Sequence, residues 1–188
     1  MSSEASSTCL LQVTDPTIPP HQSANARAHH CRGLCLIEMQ RCIQAAAHLH
    51  LALKHQYRPE VVTIVSLGRC YQELGKHELA LEHYDSALRS DGPKAYAFFC
   101  RGHCRRLLGD EAGSAADFSQ CIKADSKFHV SYMQRAEECV RRQDFVGADD
   151  ILSSILKHLP LPHDERYKVE ERRKFVRQRS PRGQKFHS

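Results

Sequence analysis

The chain has 188 residues, of which 41% are hydrophobic and 26% charged, a composition typical of a soluble protein with one core or a short repeat array. No apolar stretch approaches the ~20 residues of a membrane helix, and the N-terminus lacks the basic start and apolar middle of a secretory signal. Nine cysteines, an odd number without an export signal, favour free thiols in a reducing compartment, so we expect a cytoplasmic protein.

The positive charge lies at the C-terminal end. Residues 1–160 contain 18 Lys and Arg against 18 Asp and Glu, whereas residues 161–188 contain nine against four. The net charge of +5 therefore belongs to the later range. A basic surface that attracts nucleic acid is expected only there.

An internal sequence repeat follows an N-terminal segment that we predict to be disordered. Shifting the sequence by 34 places 64–88 on 98–122, and a second shift reaches Ala136, Leu152 and Leu156. Small residues then match small residues, and apolar residues match apolar ones. The pairs are Gly68 with Gly102, Cys70 with Cys104, Leu74-Gly75 with Leu108-Gly109, Tyr84 with Phe118 and Leu88 with Ile122.

Each copy is predicted to form two helices. Apolar residues within 64–88 recur at spacings of three and four, as on one face of a helix. Gly75 follows the first apolar run, at the place where a left-handed residue commonly ends a helix. Gly68, Gly102 and Ala136 are predicted to lie where paired helices cross closely, because a larger side chain there would separate them.

These residues resemble the tetratricopeptide repeat (TPR), a helix–turn–helix unit with the pattern aromatic-x₂-Leu-Gly-x₂-Tyr, then Ala-x₃-Phe. The clearest copy has Leu67-Gly68-x₂-Tyr71 followed by Ala80-x₃-Tyr84. The resemblance implies an all-α TPR-type solenoid of about four repeats plus a C-terminal capping helix. The predicted boundaries are 1–25 for a disordered segment, 26–60, 61–94, 95–128 and 129–162 for the repeats (26–162 together), 163–179 for the basic capping helix and 180–188 for a disordered tail.

The first repeat is the weakest copy. Gly33, Leu36, Ala45 and Leu49 fit the register if its last loop is one residue longer. It lacks a glycine between its two helices, so the conformation of its turn is left open.

Two clusters of metal-ligand residue types have structural explanations. His77-Glu78 begins like a metalloprotease helix, but Leu81 occupies the place of the second ligand, and His83 lies about 120° around the helix from His77. The run Cys100-x₂-His103-Cys104 lacks an evident fourth ligand, and buried cysteines commonly act as small apolar residues. We expect no bound metal, no cofactor and no enzymatic activity.

The resemblance implies a non-enzymatic adaptor or scaffold whose first helices line a concave groove for a partner helix or hydrophobic peptide. The chain's own C-terminal helix, or a second copy, is the alternative occupant of that groove. The groove positions in this sequence are Val62, Val65, Arg69, Tyr96, Phe99, His103, Val130, Met133, Gln134 and Glu137.

Two other functions are weighed against this one. TPR co-chaperones grip terminal carboxylates with a set of Lys, Asn and Arg that this sequence does not supply, so chaperone binding of that type is disfavoured. The basic segment 163–179 is predicted to be a polar cap, with association to nucleic acid or an acidic partner as the alternative. In one frame, the carboxylate-gripping places hold His30, Leu34, Ser66, Tyr96 and Cys100.

Overall fold

The computed structural model describes residues 20–56 and 60–180, with side chains from residue 24 onward. Within these ranges the chain is all-α and forms no strand. None of the described helices has the length and apolar character that crossing a bilayer requires. The helices are α1 (Pro20–Glu38), α2 (Cys42–Lys54), α3 (Glu60–Glu73), α4 (His77–Arg89), α5 (Ala95–Leu107), α6 (Glu111–Ala124), α7 (His129–Arg141), α8 (Phe145–His158) and α9 (His163–Arg179).

The helices divide into two compact units, the first ending at Gly92 and the second beginning at Pro93. In the first unit α1 packs on α2 and α3 on α4; in the second α5 packs on α6 and α7 on α8. The second helices of three hairpins begin at His77, Glu111 and Phe145, which are equivalent positions of successive sequence repeats. The all-α repeat architecture predicted from the 34-residue period is thus confirmed.

Close helix crossings explain the small residues of the repeat. A Cβ atom on Gly68 would lie 2.5 Å from Cε1 of Tyr84, inside the ring's van der Waals envelope. A Cβ atom on Gly102 would lie 3.1 Å from Cβ of Asp117 and from the ring of Phe118. The crossings predicted at these two glycines are confirmed.

Equivalent positions of the second helices form the core of each hairpin. Tyr84, Phe118 and Leu152 occupy one repeat position, and all are almost completely buried. Because each ring or branched chain fills the gap beside a small residue of the first helix, the hairpin closes tightly. The fully buried small residues Ala80 and Ala148 complete this face of α4 and α8.

The turn of each hairpin is a left-handed helix stop, including the two turns with glutamine in place of glycine. Gly75 and Gly109 have φ values of +72° and +82°, while Gln40 and Gln143 adopt the same region at 58° and 62°. In the first hairpin, the Gln40 amide donates to the carbonyl of Ile37 and the next amide donates to the carbonyl of Leu36. This pair of bonds is a Schellman motif, which satisfies the last carbonyls of α1.

Two predicted boundaries require correction. The first helix begins at Pro20 rather than at residue 26, because proline at a first helical position loses no hydrogen bond and fixes a helical φ. Ser180, predicted to start the tail, is 3% exposed, and its amide donates to the carbonyl of Val176. It therefore caps α9. The predicted disorder of 1–19 and 181–188 lies outside the described residues.

Candidate functional site

The predicted groove residues fall in both units. Val62, Val65 and Arg69 lie on α3 of the first unit. The seven others lie on α5 and α7 of the second unit, so the two sets are described separately. Those seven are Tyr96, Phe99, His103, Val130, Met133, Gln134 and Glu137.

Val65 does not have the exposure expected of a groove anchor. Its side chain is 2% exposed, whereas Val62 and Arg69 are half-buried. The adjacent Thr63 is fully buried and hydrogen-bonds to His30 of α1, so this part of α3 is sealed inside the first unit. The side chain at position 65 is buried because α3 is flanked by helices on more than one side; the assignment of Val65 to a partner groove stays a prediction.

The second unit carries an aromatic patch formed by Tyr96, Phe99 and Phe128. The ring centroids of Tyr96 and Phe99 are 6.4 Å apart, and that of Phe128 lies 6.4 Å from Tyr96 and 5.3 Å from Phe99. Tyr96 is 40% exposed, and Val130, two residues beyond Phe128, is 36% exposed. Apolar surface from α5 and from the start of α7 is therefore exposed at this patch.

Buried residues of the second unit pack against the aromatic patch. Phe99 also meets the buried ring of Phe118, at a centroid distance of 5.9 Å. The turn that carries Phe128 is fixed by the buried contact between Ser131 Oγ and Cys121 Sγ, 2.9 Å apart. Phe99 is thus an anchored member of the patch, and Tyr96 is its most exposed member.

Phe128 was not among the predicted site residues. It occupies the N-cap position of α7, one residue before the range predicted for the fourth repeat. The repeat pattern specifies only a loop at this place, and so gives it no role. The sequence did contain a signal for Phe128. It is an aromatic residue directly before the first helix of one repeat, and the first helix of the preceding repeat carries two aromatic residues, Tyr96 and Phe99.

Two arginines of α5 pair with one buried carboxylate of α6, that of Asp117. Asp117 is 2% exposed and receives Arg101 through Nη2 at 2.6 Å and Arg105 through Nη1 at 2.9 Å. Two arginines on α5 thus hold α6 by a single carboxylate. His103 and Arg106, further along α5, are half-buried.

Helix α9 covers part of the predicted groove on α7. Arg172 donates to Glu137 at 3.2 Å, and the side chain of Met133 packs against the apolar cluster that includes Val169 and Val176 of α9. Glu137 is therefore engaged by the C-terminal helix, and Met133 packs against a cluster to which that helix contributes. The side chains of Tyr96 and Val130 stay exposed.

The basic residues of α9 are paired within the second unit. Arg173 and Arg177 both donate to Asp149 of α8, at 2.6 and 3.1 Å. Arg179 lies over the ring of Phe175, 3.8 Å from its centroid. The other pairs are Arg166 with Glu170, Lys168 with Glu165, Arg172 with Glu137 and Lys174 with Glu171.

The histidine of the metalloprotease-like string has a packing role. The ring of His83 stacks on that of Tyr71, with centroids 5.1 Å apart and planes 2° from parallel. Nε2 of His50 lies 3.2 Å from the Tyr71 hydroxyl. Within the described ranges, no three His, Cys, Asp or Glu side chains are arranged to hold a metal ion; the absence of metal from the protein stays a prediction.

Three cysteines have raised pKa values. Burial raises the pKa of Cys70 to about 12, and burial likewise raises the pKa of Cys121 and of Cys139. These thiols are protonated at neutral pH, so they are weak nucleophiles and weak metal ligands. Cys100 and Cys104 are buried as well.

Successive helix hairpins in one repeat register, with small residues at the crossings, define a TPR-type repeat fold. The solved structure of a tetratricopeptide repeat protein from Parabacteroides merdae matches it with a TM-score of 0.63 at 16% identity, over 87% of this chain and 65% of that chain. The first TPR of Spaghetti (RPAP3) bound to the HSP90 peptide SRMEEVD matches with a TM-score of 0.54 at 14% identity, over 63% and 93% of the two chains.

Sequence comparison adds one curated relative. The chain is 29% identical over 132 residues to the protein "FK506-binding protein-like" of Mus musculus. The match covers 65% of this chain and 38% of that relative, so the chain spans well under half of its length. No protein-family model matches the sequence.

Proposed function

We propose that this chain is a non-enzymatic protein-interaction module, an adaptor or scaffold, that binds an apolar partner segment at the aromatic patch of its second unit. The observation that carries the proposal is the cluster of Tyr96, Phe99 and Phe128, with Tyr96 40% exposed. Aromatic side chains held rigidly at a surface supply large contact area with little loss of conformational freedom on binding, and they commonly dominate binding energy.

The occupant that we propose is a partner helix or hydrophobic peptide. Its apolar side chains would pack on Tyr96 and Val130, and its polar atoms would meet His103 and Gln134 at the margin. The TPR of Spaghetti (RPAP3), which shares this fold, was solved with a bound peptide. That likeness supports peptide binding as a use of the fold and does not identify the partner.

Carboxylate capture of the co-chaperone type receives less support. In the frame that begins at residue 26, one gripping place holds His30, which is 4% exposed and hydrogen-bonded to Thr63. Burial lowers the pKa of His30 to about 4, so this ring is neutral at pH 7. A neutral, buried imidazole does not replace a lysine that must reach a carboxylate.

Nucleic-acid binding by the basic segment is the second alternative. Phosphate contacts require cations whose charge is directed to solvent. Six of the seven Lys and Arg side chains of α9 pair with Asp149, Glu137 or acids of their own helix, and Lys168 and Lys174 stay 62% and 69% exposed within such pairs. This pairing favours the interpretation of α9 as a polar cap that holds the last hairpin.

The test compares two tyrosines of the second unit, Tyr96 in the patch and Tyr167 on α9, which are 40% and 58% exposed. A photo-crosslinking phenylalanine analogue placed at position 96 should capture a partner that the same analogue at position 167 does not capture. Tyr96→Glu should then weaken binding of that partner by about 30-fold or more, the loss of a typical aromatic anchor.

Tyr167→Glu is the matched control, since it adds the same charge outside the patch. Capture from both positions alike, or full binding by Tyr96→Glu, would place the interaction elsewhere on the chain. Circular dichroism of each variant checks that the fold is retained.

A further inference from the structure

The first helix pair is locally cationic although the range 1–160 is neutral as a whole. Residues 20–56, which hold α1 and α2, contain four Lys and Arg, one Asp or Glu and six His. The single acid is Glu38 at the end of α1. The hairpin therefore carries a positive potential that the charge total of the larger range conceals.

An open cavity of about 280 Å³ lies between α1 and α2. The polar wall of the cavity is formed by Arg32 of α1 and by Arg41 and His48, which lie at the start and in the middle of α2. The apolar wall includes the buried Leu36. The cavity is large enough for one small polar group with a short carbon substituent. The complete lining is Arg32, Leu36, Arg41, Gln44, Ala47 and His48.

The two guanidinium groups of this cavity lack an acidic partner. In the described ranges, the acids that accept from arginine do so on other helices, and neither Arg32 nor Arg41 forms an ion pair with a carboxylate there. This contrasts with Arg101 and Arg105 in the second unit, which converge on Asp117. Both arginine side chains are exposed, so their charges lie in water and are accessible to an added anion.

His48 adds a third nitrogen donor. Nδ1 of His48 lies 3.0 Å from Nδ1 of His29, so Nε2 is the ring nitrogen left to contact a ligand, and it donates in the tautomer in which Nδ1 accepts from His29. Desolvation lowers the pKa of His48, and the nearby charges of Arg32 and His29 lower it further. Arg32 and His48 line the same cavity, so the positive charge of Arg32 lies near the ring. An anion in the cavity would reverse the effect.

We propose that the α1–α2 cavity binds a phosphomonoester group, with Arg32, Arg41 and His48 around its oxygens. A carboxylate is planar and is satisfied by one arginine fork, whereas a phosphate presents three oxygens in different directions and two negative charges. Donors from two arginines, Gln44 and His48 therefore suit the phosphate better. Leu36 and Ala47 offer apolar contact to the carbon that carries the ester. The site lies in the first unit and does not depend on the aromatic patch.

The test titrates the full chain with phenyl phosphate and follows the backbone amides of residues 32–48 by NMR. Phenyl phosphate should shift these amides in a saturable way, and benzoate should bind at least about tenfold more weakly, because it offers one planar group. Arg32→Gln with Arg41→Gln should weaken phenyl phosphate binding by at least about tenfold.

Lys54→Gln with Arg89→Gln is the charge-matched control, since both residues are exposed in the first unit outside the cavity. It should leave the affinity unchanged. Equal loss in both double variants would indicate attraction by net charge alone and would overturn the proposal. Absence of saturable shifts, or equal binding of benzoate, would also overturn it.

A phosphoserine tripeptide distinguishes the two sources of the group. Tighter binding of the tripeptide than of phenyl phosphate would assign the group to a phosphorylated partner chain. Equal binding would assign it to a small free phosphomonoester. Either result supports the phosphomonoester chemistry, provided that the Arg32 and Arg41 double variant loses it.

Discussion

Nδ1 of His30 lies 3.0 Å from Oγ1 of Thr63, and this hydrogen bond joins α1 to α3 inside the first unit. Both side chains are buried, at 4% and 0% exposure. Burial lowers the pKa of His30 from 6.5 to about 4. The ring is therefore neutral in the folded chain over a pH range in which the unfolded chain takes up a proton.

Acidification from pH 7 to pH 5 is expected to destabilise the protein through His30. Below pH 6.5 the unfolded state binds more protons at this site than the folded state, so the free energy of unfolding falls until the pH approaches 4. The shift from 6.5 to about 4 corresponds to a loss of roughly 2 kcal/mol at pH 5. Urea unfolding at the two pH values measures it.

The variant His30→Asn is the control for this pH dependence, because it keeps a polar side chain and removes the titrating ring. Lowered pKa values at His48 and His83 act in the same direction and remain in the variant. The variant should therefore lose less stability than the parent protein between pH 7 and pH 5. Identical losses would exclude His30 as the source.

Glycine at either left-handed glutamine of the hairpin turns should stabilise the fold. Gln40 and Gln143 have φ values of 58° and 62°, a region that costs a residue with a Cβ atom about 1 kcal/mol or more. Gln40→Gly and Gln143→Gly should each raise the free energy of unfolding by about 1 kcal/mol, and the melting temperature by a few degrees. Gly109→Ala, at φ +82°, should change both quantities in the opposite direction.

Enlarging Gly102 should destabilise the α5–α6 hairpin. A Cβ atom there already meets Asp117 and Phe118 at about 3.1 Å, so the further atoms of Gly102→Leu must displace α6. The expected cost is about 1–3 kcal/mol in chemical unfolding. Ala116→Leu, the same type of change at an exposed position of α6, should cost little. Similar melting temperatures for both variants would contradict the close crossing.

Two neighbouring members of the aromatic patch should respond differently to charge. Tyr96 is 40% exposed, so the carboxylate of Tyr96→Glu stays in water and should change the free energy of unfolding by less than about 1 kcal/mol. Phe99 packs on Phe118 and Phe128, so Phe99→Glu should cost about 2 kcal/mol or more. Thermal unfolding of both variants measures the difference. Tyr96→Glu alone is therefore the proper variant for binding studies.

The period of the sequence was sufficient to predict the hairpins and their tight crossings. Gly68, Gly102 and the buried Tyr84 and Phe118 each follow from the repeat register, because the same contact recurs in every copy. The turn at Gln40 was not predictable from residue type, since glutamine rarely adopts positive φ. At this turn the backbone hydrogen bonds that end α1 outweigh the preference of glutamine for negative φ.

The site was less accessible to sequence reasoning than the fold. The repeat register assigns Val65 and Tyr96 to first-helix positions that face a groove, yet one is 2% and the other 40% exposed. Their exposure depends on which helices flank each copy, and a repeat pattern does not contain that information. Arg32 and Arg41 come together only through the turn between α1 and α2. Their positive charge is hidden in the net charge of residues 1–160, which is zero.

Asp149 controls two properties of α9 at once, its attachment to α8 and the positive charge that it exposes. Arg173 and Arg177 share this one carboxylate, so its loss would release two guanidinium groups together. The helix would keep Val169 and Val176 in the apolar cluster but would present a new cationic face. A single substitution such as Asp149→Asn could thus give a capping element the surface chemistry of a polyanion binder, without any change in the α9 sequence.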